Sequence, residues 1–491
     1  MTLGVAPALS HPRRVERIRV AIPGRLLWIE LRRNVMPWLL PIIAVVFWLD
    51  SYRNTLGQPP LWSAQTAITI GQGHTLIDFG PFVAGAAAWM GSRDGRRNTT
   101  DLVAVTARSR WAGQLVTWVA TTCWALAAYL VFVGVLYAVI AARVAWGGPP
   151  WWPVAAGAGG VVAFSALGFA AGGFVPGRFV SPMAAFGALI LLAMSSHAGF
   201  SNRVGAWSIL PSSGQGGLGF DSGIFYPFLP DLSIARMIAL VGLSFAALGI
   251  LGLRTAAGNV RIVRAAAALT VIGLLGVGTA SGLLSTARVE ANGVVVPALH
   301  DAASDRPIPY TPVCHDGVVP VCLHPAYRSY LADVTSAVDP VLREVAGLPG
   351  APVRVAQSAA SYLPQSDETI SGDPPVLHIA VGNLGLEIVG SARSNGQVRA
   401  LFLLAFVGAG RGGGTPAQQA IQAALLSQIG VPLSAQPKLL ANKGIPGPPG
   451  GSPIYAAAQR FVLQPVAVRH AWLDAHLGAL RAGDLTLAEL P

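Results

Sequence analysis

Four residues in the C-terminal half have side chains that could bind a metal ion or form a disulfide. Cys314, His315, Cys322 and His324 lie within eleven positions of one another. Zinc prefers such thiolate and imidazole ligands, but structural zinc sites usually separate paired ligands by about two to four residues. Seven residues separate the two cysteines here. We therefore expect a Cys314–Cys322 disulfide if this half lies outside the cytosol, with a metal site and free thiols as the alternatives.

The sequence carries no motif for the hydrolysis of ATP, peptides or esters. The phosphate-binding loop G-x-x-x-x-G-K-[ST] is absent, since Lys443 is followed by glycine. Residues 411–415 are glycine-rich but follow a stretch that we interpret as a strand, so we expect a flexible turn there. The patterns H-E-x-x-H and G-x-S-x-G are also absent. We predict that this chain is not an enzyme and binds no cofactor of its own.

The composition is that of an integral membrane protein. Charged residues make up 11% of the chain and the mean hydropathy is +0.55, whereas a soluble domain carries about 25% charged residues. The segment 35–285 contains apolar runs that predict about seven membrane-spanning helices. We place them near residues 35–48, 76–90, 112–142, 154–174, 179–198, 234–253 and 265–284.

Several features accompany these spans. Residues 1–34 are basic and end in an amphipathic stretch, 24–34, which predicts an interfacial helix; the alternative is a first span that simply begins earlier. Gly168 and Gly172 have the spacing that lets helices approach closely, and Gly278 and Gly282 repeat it. The acidic residues of the spans lie near predicted ends, which disfavours an ion-coupled carrier. Whether residues 199–234 form a re-entrant pair or a loop is open.

The net charge of +11 is concentrated in the membrane half. Residues 1–285 hold 20 arginines and 8 acidic residues, and residues 286–491 hold 13 basic and 14 acidic residues. With the N-terminus in the cytoplasm, the inner segments carry 16 arginines and the outer segments 4. The positive-inside rule accounts for this bias without a nucleic-acid partner. We predict a multi-pass protein of the cell membrane whose C-terminal half is extracytoplasmic.

Residues 286–491 predict an α/β domain that is large enough for its own core. Alternating apolar residues predict strands at 291–297, 353–356 and 376–381, and residues 401–406 form a buried run. Helical periodicity predicts helices at 325–346, 418–428, 456–480 and 485–490, with a Pro/Gly loop at 434–453.

Residues 89–110 interrupt two apolar runs with five arginines and two aspartates. Asp101 suits the start of a helix that polar residues just before it can cap, namely Asn98, Thr99 or Thr100. Leu102 and Val103 give this helix an apolar side. We expect a short amphipathic helix over residues 95–110 at the cytoplasmic face, with an ordinary basic loop as the alternative.

The order of these elements resembles the membrane subunit of type-2 ABC exporters, the ABC-2 permease family. In that family a coupling helix docks on the ATPase subunit, and its charged pair, polar cap and leucine correspond here to Arg93, Asp94, Asn98, Thr99 and Leu102. Asp94 replaces the usual glutamate, and Ala107 stands where proline is common. The resemblance covers residues 20–255, and the additional span and C-terminal domain resemble a variant of the family.

The resemblance implies a permease subunit driven by a separate ATPase subunit, which would bind the ATP. Two copies of the chain, or one copy and a second permease, would form the pathway in the lipid bilayer. The expected ATPase contacts are Arg96, Arg97, Thr99, Leu102 and Val103. The alternative function is a membrane-anchored extracytoplasmic binding or sensor protein, or a degenerate hydrolase without transport activity. The substrate is not predictable from the sequence.

Overall fold

The protein is described by a computed structural model. It describes residues 24–57, 60–97, 109–198, 209, 223–256, 259–290, 292–359, 369–380, 392–409, 413–441 and 447–491. Most of this chain is helical, and the small sheets all lie after residue 285. The expected order of an α-helical membrane part followed by an α/β C-terminal region is confirmed at this level.

The described residues of the membrane part are mostly helical. Their helices are α1 (Gly24–Arg32), α2 (Met36–Phe47), α3 (Arg53–Gly57), α4 (Ala64–Ile68), α5 (His74–Gly91), α6 (Arg93–Arg96), α7 (Arg110–Ala141), α8 (Trp152–Phe174), α9 (Val180–Ala198), α10 (Asp231–Thr255) and α11 (Val260–Ser285). π-Helical turns join α2 to α3 and α4 to α5, at Trp48–Tyr52 and Thr69–Gly73. Residues 199–208 and 210–222, on which the choice between loop and re-entrant pair rests, lie outside the described residues.

Four helices of the described chain are long and apolar enough to cross a membrane: α7, α8, α10 and α11. A fifth span is added if α1 and the helical stretch Met36–Gly57, which are bent by 52° relative to each other, count as one. Helices α2, α5 and α9 coincide with the remaining predicted spans. The structure therefore supports a membrane protein, and the count of seven spans stays a prediction.

Asn34 forms the bend between α1 and α2. Its Oδ1 accepts a hydrogen bond from the backbone N–H of Met36 at 2.9 Å, and its Nδ2 donates to Thr121 Oγ1 on α7 at 2.8 Å. Pro37 in the first turn of α2 has no N–H to satisfy, which suits a helix start. The amphipathic stretch is thus a helix of its own rather than the straight beginning of the first span.

Small residues set the spacing between α5 and α8. A β-carbon at Gly168 would overlap the backbone carbonyl of Ala84, and one at Gly172 would overlap that of Ala88. The predicted close approach at this glycine pair is confirmed. The second pair differs, because a β-carbon at Gly278 or Gly282 would meet nothing within 4 Å.

The C-terminal region begins with a hairpin of β1 (Arg288–Glu290) and β2 (Gly293–Val295). A mixed sheet follows, with strand order β3-β4-β5-β7-β6. Its strands are β3 (Val313–Asp316), β4 (Pro320–Leu323), β5 (Arg354–Gln357), β6 (Thr369–Ser371) and β7 (Val376–Ile379). The helices are α12 (Leu331–Val345), α13 (Ala392–Phe406), α14 (Pro416–Gln428), α15 (Gln436–Ala441), α16 (Pro453–Leu463) and α17 (Val466–Ala482), with 3-10 turns at Ala302–Asp305, Pro325–Tyr330 and Leu487–Glu489.

The predicted strands at 353–356 and 376–381 and the helices at 325–346 and 418–428 are confirmed to within a few residues. Three other predictions are wrong in detail. The run at 401–406 is buried as expected, but it is the end of helix α13 and not the strand that we placed before the glycine-rich residues. The helix expected at 456–480 is two helices, because Pro465 cannot continue α16 and holds Gln464 in an extended conformation. The Pro/Gly loop at 434–453 contains α15.

Candidate functional sites at the two ends of the membrane helices

Two of the five predicted ATPase contacts lie in the described chain. Arg96 is the last residue of α6 and Arg97 follows it. Thr99, Leu102 and Val103 lie outside the described residues, and so does most of the predicted coupling helix. The described part of this site therefore consists of α6, Arg97 and the residues that contact them.

Arg93 ties the first turn of α6 to the amphipathic helix α1. Its Nη1 and Nη2 donate to the two carboxylate oxygens of Glu30 at 2.8 and 3.0 Å, and its Nε lies 3.7 Å from Asp94 Oδ1. Such a two-bond arrangement fixes both the distance and the orientation of the two groups. Burial on its own would lower the pKa of Arg93, but the hydrogen bonds and charges of Glu30 and, to a lesser extent, Asp94 outweigh it and raise the pKa.

Arg96 and Arg97 differ in availability. The Arg96 guanidinium lies 3.3 Å from the centre of the Trp89 ring, donates to Ser92 Oγ at 3.0 Å and donates to the Trp89 carbonyl at 2.8 Å. Arg97 is exposed. Arg96 is thus bound to the end of α5 and to Ser92, whereas the exposed Arg97 can reach a partner without losing these contacts.

Two glycines hold the same segment against α8 and the residues after it. A β-carbon at Gly91 would overlap the backbone carbonyl of Phe169, and one at Gly95 would overlap the side chain of Pro176. No side chain fits at either position, so the backbone of the segment lies directly on its neighbours. Together with the Arg93–Glu30 ion pair, these contacts fix the start of the basic segment from two sides.

The Arg93–Glu30 ion pair gives a direct prediction. Because both side chains are mostly buried, at 25% and 12% exposed, Glu30→Arg or Arg93→Glu alone is expected to lower stability by about 2 kcal/mol. The exchanged double variant Glu30→Arg/Arg93→Glu restores opposite charges and should recover most of that loss. Thermal unfolding of the purified protein in detergent measures it.

Arg33→Glu, at an exposed position just after α1, is the matched control and should change stability little. A double variant that is as unstable as the sum of the two single variants would show that the two side chains do not interact.

A second candidate site lies at the opposite end of the helices, where the C-terminal region packs on the segments that join them. The hydrophobic core of this region includes Leu61, Ile224 and Phe225, which lie before α4 and before α10. Trp146, between α7 and α8, packs against the same core. The segments that join the membrane helices therefore share one core with the C-terminal region at this junction.

His324 lies at the centre of the junction. It is completely buried, and its ring centre lies 4.9, 4.9 and 4.2 Å from those of Trp146, Phe225 and Tyr310. Its Nδ1 accepts a hydrogen bond from the N–H of Ala326 at 3.1 Å, so the neutral ring carries its proton on Nε2. Burial lowers the pKa of His324 to about 4.

Asp231 and His300 form a second contact between the two parts. Asp231, the first residue of α10, accepts hydrogen bonds from the N–H of Val296 at 3.0 Å and contacts His300 Nδ1 at 3.2 Å. The other ring nitrogen of His300 lies 3.1 Å from Asp305 Oδ2. The hydrogen bond with Asp305, together with the charges of both carboxylates, raises the pKa of His300.

The expected Cys314–Cys322 disulfide is confirmed. The two cysteines stand directly opposite each other on the antiparallel strands β3 and β4. His315 is exposed on β3, while His324 points into the aromatic cluster, so the four residues do not converge.

The ion pairs at the two ends of the helices were not predicted from the sequence. Glu30 and Arg93 are 63 positions apart, and Asp231 and His300 are 69 apart. The one usable signal was Glu30, an acidic residue in an otherwise basic amphipathic stretch.

Comparisons with protein-family models, with curated proteins and with solved structures found no match to this chain.

Proposed function

We propose that the chain is the membrane-spanning permease subunit of an ABC-type exporter. A separate ATPase subunit docks on the segment 95–110, and closure of that subunit is passed to the membrane helices. The observation that carries this proposal is the fixation of the start of the segment, by Arg93 to Glu30 of α1 and by Gly91 and Gly95 to Phe169 of α8 and to Pro176 just after it. A segment that receives motion from another protein must be rigidly joined to the helices that it moves.

The fixation of α6 to its neighbours has a mechanical consequence. A push on α6 cannot be absorbed locally, because Gly91 and Gly95 leave no space against Phe169 and Pro176. The Glu30–Arg93 pair transmits the same push to α1 and, through the bend at Asn34, to α2. Two of the helices that would line a pathway thus move with the docking segment.

The arrangement of the two ends supports the proposed topology. The basic segment lies beside the end of α8, and the C-terminal region packs on Trp146, just before the start of the same helix. The arginine-rich segment and the disulfide-bearing region therefore occupy opposite ends of the helices. This is the arrangement expected for a cytoplasmic docking site and an extracytoplasmic domain.

The test first asks whether a gene next to that of this chain encodes an ATPase subunit, and then measures co-purification of the two proteins. The double variant Arg97→Glu/Leu102→Asp should reduce the amount of ATPase retained at least about tenfold, as loss of a central interface contact does. Arg264→Glu, in another arginine-bearing segment of the same predicted side, is the control and should retain the ATPase. Undiminished retention in the double variant would refute the docking assignment.

The rival function is a membrane-anchored binding or sensor protein, and the shared core of the junction favours it as the second candidate. An anchor needs no ATPase partner. A purified wild-type protein that never retains an ATPase, although the subunit is co-expressed, would favour this rival.

A further inference from the structure

A cavity lies where α1, α5, α6, the start of α7 and α8 meet, at the arginine-rich end of the helices. Its volume is about 190 Å³, more than ten times the roughly 15 Å³ that one water molecule needs. It is therefore large enough for a ligand of several non-hydrogen atoms.

The charges around the cavity are balanced. Two arginines, Arg93 and Arg110, and two carboxylates, Glu30 and Asp94, line it. Arg93 is already bound by Glu30 at 2.8 Å, so Arg110 is the arginine that does not share this ion pair. A neutral ligand with separated positive and negative groups matches such a lining better than an anion does.

Two atoms of the lining residues lack partners in the described chain. Arg110 Nε, a donor, and Gln114 Oε1, an acceptor, are both buried and make no hydrogen bond; Gln114 is 6% exposed. Buried polar groups in native proteins are nearly always satisfied. A ligand that brings acceptor oxygens together with N–H donors would satisfy both.

The remaining walls and the location point to a lipid. Leu26, Met90 and Phe169 give the cavity an apolar side. Leu26 belongs to the amphipathic helix α1, which is of the kind that lies among lipid headgroups. A ligand that reaches the cavity from the bilayer would carry its apolar chains along this side.

We propose that the cavity binds a phospholipid with a phosphoethanolamine headgroup. Arg110 holds the phosphate, and the primary ammonium lies at Glu30, Asp94 and Gln114 Oε1. A trimethylammonium headgroup has no N–H to donate to Gln114 Oε1, and an anionic headgroup would add a net negative charge to a lining whose two arginines and two carboxylates already balance. The proposal does not depend on whether the chain is a permease.

Native mass spectrometry of the full-length protein tests this proposal. The protein in detergent is equilibrated with equal amounts of phosphatidylethanolamine, phosphatidylcholine and phosphatidylglycerol of identical acyl chains. We expect phosphatidylethanolamine to be retained at least about fivefold over each of the others, the order expected for one hydrogen bond. Arg110→Gln and Gln114→Leu should each remove this preference.

Arg33→Gln, an exposed arginine just after α1 and outside the cavity lining, is the control and should keep the preference. Equal or stronger retention of phosphatidylglycerol by the wild-type protein would overturn the proposal, and this result needs no variant to fold. So would a preference that survives both cavity variants. Displacement of the lipid by an equal concentration of glycerophosphoethanolamine would identify a site for a soluble zwitterion instead.

Discussion

Alanine or leucine at Gly168 or Gly172 is expected to prevent the membrane helices from packing, whereas the same changes at Gly278 should be tolerated. At Gly168 and Gly172 the β-carbon alone would overlap backbone carbonyls of α5, those of Ala84 and Ala88. A backbone atom inside a helix cannot rotate away as a side chain does. The two helices must therefore separate.

The loss of stability depends on how much of the structure must move. Overpacking a core costs about 1–3 kcal/mol when side chains can adjust, and here the whole of α5 must move, so we expect at least about 3 kcal/mol for leucine. The measurement is the yield of monodisperse protein in detergent, together with its unfolding temperature.

Gly278 is the matched control, because it has the same four-residue glycine spacing in another candidate span and its β-carbon would meet nothing within 4 Å. Alanine or leucine there removes a flexible residue from a helix, which favours helix formation. Equal loss of folded protein at Gly168 and Gly278 would show that helix flexibility, rather than close packing, is what the glycines provide.

This pair of glycine motifs shows what the sequence can predict about the fold. The apolar runs placed the membrane helices to within a few residues, since the length of an apolar run is read directly; α8 was expected at 154–174 and spans Trp152–Phe174. The spacing of small residues predicts a face that could pack closely. It does not say which helix packs there, or that Gly278 and Gly282 meet no other part of the described chain.

The errors in the C-terminal region have local causes. A short apolar run such as 401–406 fits a buried strand or a buried helix equally well, and the polar first half of α13 concealed the helix. Pro465 was visible in the sequence and marks the break between α16 and α17. The prediction of a single helix at 456–480 followed the helical periodicity across Pro465, although proline ends helices.

The sites at the two ends depend on contacts that no sequence pattern reports. The Cys314–Cys322 bond was predictable because the two cysteines of the C-terminal half lie close together in the sequence, although the hairpin of β3 and β4 that places them opposite each other was not predicted. The Glu30–Arg93 and Asp231–His300 pairs join elements that become neighbours only in the folded chain, so their residue types could be noted but not paired. The lining of the cavity beside Arg110 draws on five helices for the same reason.

The two histidines at the junction respond to pH in opposite directions. The pKa of His324 in the folded protein, about 4, is lower than the roughly 6.5 of an unfolded histidine. The unfolded chain therefore binds a proton first, and stability falls as the pH drops from about 6.5 towards 4. The pKa of His300 is raised, so its contribution is present below about 6.5 and is lost as the pH rises through the folded value.

The loss of stability at acidic pH, which depends on His324, is the larger of the two effects. A charge on His324 would be enclosed by Trp146, Phe225 and Tyr310, and protonation of Nδ1 would also remove the acceptor of the Ala326 N–H. Between pH 7 and pH 4 we expect the free energy of unfolding to fall by roughly 3 kcal/mol. Each unit of difference between the folded and unfolded pKa of His324 contributes about 1.4 kcal/mol. On the alkaline side, His300 loses the proton that lets both ring nitrogens donate to Asp231 and Asp305.

His324→Phe should therefore flatten the fall in unfolding temperature between pH 6.5 and pH 4, because a phenyl ring keeps the aromatic contacts and cannot be protonated. His315→Phe, at an exposed position on the neighbouring strand β3, is the control and should retain the wild-type slope. His300→Gln should leave the fall in unfolding temperature towards acidic pH unchanged. It should remove the loss of stability that accompanies deprotonation of His300 as the pH rises. If the unfolding temperature of His324→Phe falls as steeply towards pH 4 as that of the wild-type protein, the buried His324 is not what makes the junction sensitive to pH.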